Sequence, residues 1–329
     1  ARSVRRLALR VRIVRSPPSA DRGSDQPVAA APGSDHSTID IRHSTIVPAM
    51  MDRSEHLRLG IIAGEGRFPF LVVEGAKRAG CHVTVIALRG FADGSLAEQA
   101  DVFRWAGLAR LGRWIRILKR NRAQSVILAG AVRKTSMYGR WRLLRLLPDW
   151  TSLRLWFVRL SDKRNDSVLG AVADEFARHG IIMQDCIQYT AEHLAPEGVL
   201  TRVQPSESQR KDAAFGWRIA KELGRLDIGQ SVAVKETEVV AVEAIEGTDR
   251  MIERAGLLVP RGGWTMVKVS KPNQDMRFDV PTVGPETIAN LARHGARMLV
   301  IEAGKTVIID RESMIAAADR LGIVVLSLK

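Results

Sequence analysis

The sequence predicts an α/β protein of two domains, a parallel sheet covered on both faces followed by a mixed α/β unit. Three observations predict it. The 329 residues exceed one ordinary domain, 46% are hydrophobic against 26% charged, and Val/Ile runs alternate with amphipathic helical patterns.

Residues 1–49 are rich in Ser, Pro, Ala and Arg without a sustained period, and a disordered leader is expected over 1–56. Asp21, Asp25, Asp35 and Asp40 argue against a transit peptide, and Met50-Met51 directly precede the first patterned segment, so the native start is expected there. A first domain over 57–188 then reads as strand Leu59–Ala63, helix Pro69–Ala79, strand His82–Leu88, helix Leu108–Asn121, strand Ser125–Ala129, helix Ser167–His179 and strand Ile181–Ile187. Continuous apolar strands joined by helices make this a Rossmann-like parallel sheet. Residues 189–205, with Pro196, Gly198 and Pro205, read as a linker. The second domain, 206–329, opens with helix Glu207–Leu223 and the strand pair Ser231–Lys235 and Glu238–Glu243. A helix opened by Gly247-Thr248-Asp249, with Thr248 as its N-cap, strand Thr265–Val269 and helix Pro285–His294 follow. A hairpin-like pair Met298–Glu302 and Thr306–Ile309, helix Arg311–Leu321 and strand Ile323–Leu326 complete it, and the antiparallel pairs make the domain mixed.

The formal charge is +14, and its placement matters more than its size. Residues 190–329 hold 19 basic and 19 acidic side chains, whereas 104–164 hold 16 basic ones against Asp149 and Asp162. The same segment carries Trp105, Trp114, Trp141, Trp150 and Trp156, five of the seven Trp. Indole, leucine and arginine together fit an anionic lipid surface; ordinary core with solvated arginines is the competing reading. The Leu residues of Gly139-Arg-Trp-Arg-Leu-Leu-Arg-Leu-Leu-Pro148 have no use in a base-stacking groove, so nucleic acid is not the expected partner.

Two cysteines, Cys81 and Cys186, make no disulfide framework or zinc motif and fit a reducing cytosol, and no apolar run approaches the roughly 18 residues of a membrane span. The first strand ends in Ala63-Gly-Glu-Gly-Arg-Phe-Pro69, a glycine turn into a helix N-terminus where backbone N–H groups can face a phosphate. Pro69 stands where a dinucleotide fingerprint has its third glycine, and Leu88-Arg89 where a ribose-binding acid belongs, which disfavours a nicotinamide cofactor. In the second domain, Asp227, Glu246, Asp249 and Asp279 supply oxygen ligands suited to Mg²⁺, and Lys268 and Lys271 supply positive charge for phosphate. A solvated cap or surface ion pair is the plain alternative for each taken singly. No HExxH, GxSxG or Walker A sequence is present.

In order along the chain, Leu59-Gly-Ile-Ile-Ala-Gly-Glu-Gly66, Ala129-Gly130, Gly224-Arg-Leu-Asp-Ile-Gly-Gln230, Glu243-Ala-Ile-Glu-Gly-Thr-Asp249, Asp279-Val-Pro-Thr-Val-Gly284 and Asp310-Arg-Glu-Ser-Met-Ile-Ala-Ala-Ala-Asp319 resemble the LpxI family of UDP-2,3-diacylglucosamine pyrophosphatases. The resemblance spans about 57–328 and is more specific in the second domain. It implies a substrate cleft between the domains and Mg²⁺-dependent hydrolysis to UMP and 2,3-diacylglucosamine 1-phosphate, on the cytoplasmic face of a membrane in lipid A synthesis. It implies Asp279 as the essential aspartate, either a metal ligand or the orienter of the attacking water; Lys268 and Asp249, singled out by residue chemistry, complete the candidate catalytic set. The corresponding metal set is Asp279, Asp227 and Glu246. The substrate-binding set is Gly64, Gly66, Gly130, Gln230, Gly247, Thr248, Lys271, Gln274 and Thr282. Glu65 interrupts the family's glycine triplet. The expected partners are the UDP-diacylglucosamine and an anionic membrane met through 104–164, with a homodimer allowed; the competing class is a non-catalytic, membrane-associated nucleotide-sugar-binding protein.

Overall fold

The computed structural model describes residues 57–132, 147–159, 165–272, 275–277 and 280–329. The leader expected over 1–56 and most of the stretch 139–148 lie outside the described residues.

The first sheet holds β1 (Arg58–Ala63), β2 (His82–Leu88), β3 (Val102–Ala106), β4 (Ser125–Ala129) and β5 (Ile182–Met183). All pairings are parallel and the order is β3-β2-β1-β4-β5. The central strands are buried almost end to end, as a sheet covered on both faces requires. One face carries α1 (Phe68–Arg78), whose Val72, Val73 and Ala76 join Ile61 and Val85. The other carries α2 (Leu111–Arg120), the short α3 (Trp150–Arg154) and α4 (Asn165–Arg178), with Trp114, Leu118 and Phe176 against Ile86 and Val126. Each fully buried aliphatic or Phe side chain contributes on the order of 1.5–3 kcal/mol.

The second sheet is mixed, in the order β6 (Gly198–Val199), β13 (Val324–Leu328), β11 (Ala296–Glu302), β9 (Trp264–Lys268), β7 (Ser231–Lys235) and β8 (Glu238–Val242). Strands β13, β11 and β9 run parallel, and β6, β7 and β8 are joined antiparallel. Helix α5 (Glu207–Arg225), opened by a capping box between Ser206 and Gln209, covers one face. Helices α6 (Thr248–Leu258), α7 (Pro285–Arg293) and α8 (Arg311–Leu321) cover the other. A two-stranded parallel sheet of β10 (Thr282–Val283) and β12 (Val307–Ile308) leaves this domain, and Val280 and Val307 are buried in the core of the first.

Four sequence expectations differ. Met298–Glu302 and Thr306–Ile309 form no hairpin: β11 lies between β9 and β13, and β12 pairs with β10, because the intervening turn carries the chain out of the sheet. The strand expected over Ile181–Ile187 stops at Met183, and Asp185 caps a 3₁₀ turn over Cys186–Tyr189. Strand β3 was not foreseen. Finally, the linker contributes β6 to the edge of the second sheet.

Candidate active site

The strand order of the first sheet reverses between β1 and β4, and in open α/β sheets ligands bind outside the carboxyl ends of the strands at such a point. Gly64 and Gly130 sit there. The Gly64 N–H donates to Ala129 O at 2.8 Å, and Glu65 and Ala131 exchange backbone bonds of 2.8 and 3.0 Å. A Cβ on Gly64 would lie 2.7 Å from Ala131 O; one on Gly130, whose φ is +89°, would lie 2.7 Å from Glu65 O. Both positions therefore need glycine to let two backbones touch. The N–H groups of Gly64, Glu65 and Ala131 are spent on this closure. What remains at the switch point is the N-terminus of α1, headed by Arg67 with no side-chain cap, and entered through Gly66 at φ +97°. The Arg67 guanidinium lies 4.0 Å from Asp310, on the turn between β12 and α8, so this corner of the first domain faces the second.

The carboxyl edge of the second sheet collects the polar clusters. Glu243, 8% exposed, accepts from the Thr248 hydroxyl at 2.8 Å and from the Gln230 N–H at 3.4 Å. Gly229 permits this, since a Cβ there would sit 2.2 Å from Glu243 O. Thr248 is thus the first residue of α6 and not its N-cap; Gly247, at φ +84°, takes that place because the Thr248 hydroxyl is committed to Glu243. Beside them, Gln230 Oε1 and Ser231 Oγ are buried with no hydrogen-bond partner among the described residues.

Lys268 closes β9 and is 8% exposed, with its Nζ 3.1 Å from Thr282 O. Among the described residues that carbonyl is the one hydrogen-bond partner of its Nζ, which under-pairs a buried ammonium. Lys271 pairs with Asp227 at 2.5 Å, and Asp227 holds a left-handed φ of +55°. Glu246 pairs with Arg254 at 2.6 Å; burial works to raise its pKa, but backbone N–H groups and Arg254 together hold the carboxyl below its usual value. Asp249 accepts from Asn290 at 3.3 Å. Asp279 and Gln274 lie outside the described residues. Around them, Asp275 pairs with Arg277 at 2.6 Å, and the Cys186 thiol meets Met276 O at 3.0 Å.

The fold therefore joins Gln230 to Thr248 through Glu243, Lys268 to Thr282, and Lys271 to Asp227. It places Asp227 and Glu246 in separate ion pairs, and among the described residues no group of three or more His, Cys, Asp or Glu could hold a metal ion. Sequence reasoning passed over Glu243 as the residue that joins Gln230 to Thr248, and over Lys221 and Glu302, which meet at 2.6 Å under the same edge. A Glu closing the apolar run Met298–Ile301 was the available signal for Glu302.

Two α/β domains joined across β10 and β12, with polar residues at the strand ends of each, define the class of protein. The chain belongs to the LpxI family: the LpxI N-terminal domain matches residues 58–193 and the LpxI C-terminal domain residues 196–326. A relative from Caulobacter vibrioides, named UDP-2,3-diacylglucosamine pyrophosphatase LpxI, is 36% identical over 280 residues, covering 82% of this chain and 96% of its own. Among solved structures, the biotin carboxylase domain of Hydrogenobacter thermophilus 2-oxoglutarate carboxylase aligns with 14% identity and a TM-score of 0.23 over 62% of this chain and 42% of that one, too little to carry an argument.

Proposed function

We propose that the protein hydrolyses the pyrophosphate of UDP-2,3-diacylglucosamine to 2,3-diacylglucosamine 1-phosphate and UMP in lipid A synthesis, with Mg²⁺. The observation that carries this reading is the 36% identity to the named pyrophosphatase across 96% of its length, which spans both domains. The site is in keeping with it. A pyrophosphate needs positive charge where the bond breaks, and Lys268 and Lys271 bring ammonium groups to one strand edge. Lys268 can turn from Thr282 O to a phosphate oxygen at small cost, because a carbonyl only partly compensates a buried ammonium. The unpartnered Gln230 Oε1 and Ser231 Oγ stand ready for polar groups of the substrate.

Mg²⁺ typically binds through one or two carboxylates plus substrate phosphates, and it would neutralise charge on the breaking anhydride. Asp279 is the residue we assign to hold it or to orient the attacking water, with Asp227 and Glu246 as further candidates once released from Lys271 and Arg254. A two-tailed substrate requires the enzyme to work at a bilayer, so we place it peripherally on the cytoplasmic face; among the described residues no helix is long and apolar enough to cross a membrane. The test is release of UMP from UDP-2,3-diacylglucosamine in detergent micelles. Release with Mg²⁺ that stops with EDTA supports the reading, and no release from folded protein overturns it.

A further inference from the structure

We propose that an arginine-lined groove at the β3 edge of the first domain, together with the exposed aromatic turn fastened beside it, is the surface that docks on the phosphate headgroups of an anionic phospholipid bilayer. Arg104 from β3 and Arg113, Arg116 and Arg120 from α2, with Ile117, line a groove of about 330 Å³. On α2 the three arginines recur at helical spacing on the solvent face, opposite the buried Leu111, Trp114, Ile115 and Leu118. From Val102 to Val132 the chain has seven Lys or Arg and no Asp or Glu. Among the described residues, none of the four groove arginines is within ion-pair distance of a carboxylate; Arg104 and Arg116 donate only to backbone carbonyls. A fold that keeps four guanidinium groups together without counter-charge carries a standing cost, which an anionic surface removes.

The second observation is apolar. Trp150 is 80% exposed and Phe157 77% exposed, a placement that water alone does not favour. Trp150 is not on a loose end. Asp149 accepts from the Arg113 N–H at 3.0 Å and from the Ser152 N–H, the Ser152 hydroxyl accepts from the Leu111 N–H at 3.1 Å, and the Asp149 N–H donates to Ala109 O. Gly112 allows the contact, since a Cβ there would meet Thr151 Oγ1 at 2.6 Å. The turn that carries Trp150 is thereby fixed to the N-terminal turn of the arginine helix, and the Asp149 carboxylate is taken up by the Arg113 and Ser152 N–H groups and the Ser152 hydroxyl. Phe157 follows on the next turn, whose Leu155 is anchored in the core with Trp114. Rings that enter the headgroup boundary beside arginines that meet phosphates are the chemistry of a peripheral membrane contact. A nucleic-acid groove would need its bases stacked between the charges, and the aromatic turn lies at the helix end.

The choice of a bilayer rests on the proposed lipid substrate, and the experiment separates the two. The full chain is floated with vesicles of phosphatidylcholine alone, and of phosphatidylcholine with about a third phosphatidylglycerol, while UMP release is followed in micelles. The proposal expects binding only to the anionic vesicles. Arg113→Glu with Arg116→Glu should weaken that binding at least about tenfold, Trp150→Ser should weaken it at unchanged charge, Arg→Lys at the two positions should largely restore it, and UMP release in micelles should stay as in the parent. Absence of flotation with anionic vesicles, or equal flotation of the Glu and Ser variants, overturns the surface. Salt-sensitive binding to an oligonucleotide without vesicle binding overturns it in favour of nucleic acid. Vesicle binding with no UMP release leaves the surface standing and removes the hydrolysis.

Discussion

Lys221 and Glu302, on α5 and at the end of β11, grip the same backbone residue: Lys221 Nζ reaches Glu302 Oε2 at 2.6 Å and Ser270 O at 3.1 Å, and the Ser270 N–H donates to that carboxylate oxygen at 2.8 Å. Ser270 is the last residue before the stretch that contains Asp279, so this pair fixes where that stretch begins. Glu302 is 4% exposed, and breaking a buried pair from one side costs about 3–5 kcal/mol. Lys221→Met should lower the unfolding free energy in urea by about 3 kcal/mol; a loss below about 1 kcal/mol would show the pair to be a surface-type contact.

The same carboxylate sets a pH dependence. Burial works to raise the Glu302 pKa, but hydrogen bonds from Lys221, Lys305 and the Ser270 N–H prevail and lower it from 4.5. A carboxyl depressed in the folded state takes up its proton more readily when unfolded, so its contribution is full above 4.5 and is lost as the pH falls through the folded value. Glu302→Gln should therefore be less stable than the parent near neutrality and should lose less stability between pH 5 and pH 3. Parallel curves for the two proteins would contradict this.

At the switch point, two glycines should respond differently. Gly130→Ala meets both a left-handed φ and backbone oxygen at 2.7 Å, whereas Gly66→Ala meets the φ alone, with open space around its Cβ. We expect a loss of about 3 kcal/mol or more for Gly130→Ala and about 1 kcal/mol for Gly66→Ala, read as urea midpoints at constant m-value. Equal effects would mean that β1 and β4 can part there without cost.

Lys268→Met separates a structural lysine from a functional one. Replacing an under-paired buried ammonium by a thioether of similar length should leave stability unchanged or raise it, while turnover should fall by about two orders of magnitude or more. A matched loss of stability and activity would assign Lys268 to the fold instead.

Long-range apolar pattern made much of this molecule legible, and local pairing did not. The strands His82–Leu88, Ser125–Ala129 and Ser231–Lys235 and the helix Arg311–Leu321 stand where the sequence places them, because their burial repeats along the element. Strand β3 escaped because it is an edge: Val102-Phe-Arg-Trp-Ala is half-buried with Arg104 exposed, and lacks the continuous apolar run of β1 and β2. Strand β12 was misplaced because its two residues are as apolar as a hairpin partner would be, and only the tertiary contact with the first domain decides their pairing. In the site, Lys268 and Thr282 were legible as polar residues at strand ends. Their mutual contact was not, nor was the Lys221–Glu302 pair, whose members are separated by 81 positions and meet only through the packing of α5 on β11. The five Trp of the basic segment divide between both readings, with Trp114 in the core, Trp150 exposed and Trp141 outside the described residues.

The most direct test of the account compares UMP release from UDP-2,3-diacylglucosamine by the parent protein and by Asp279→Ala, with Mg²⁺ and with EDTA, alongside substrate binding to the folded variant. The account predicts metal-dependent release by the parent, and in Asp279→Ala a loss of at least about a thousandfold in turnover with binding retained. Comparable release by the variant would contradict the assignment of Asp279, and no release by the folded parent would contradict the pyrophosphatase itself.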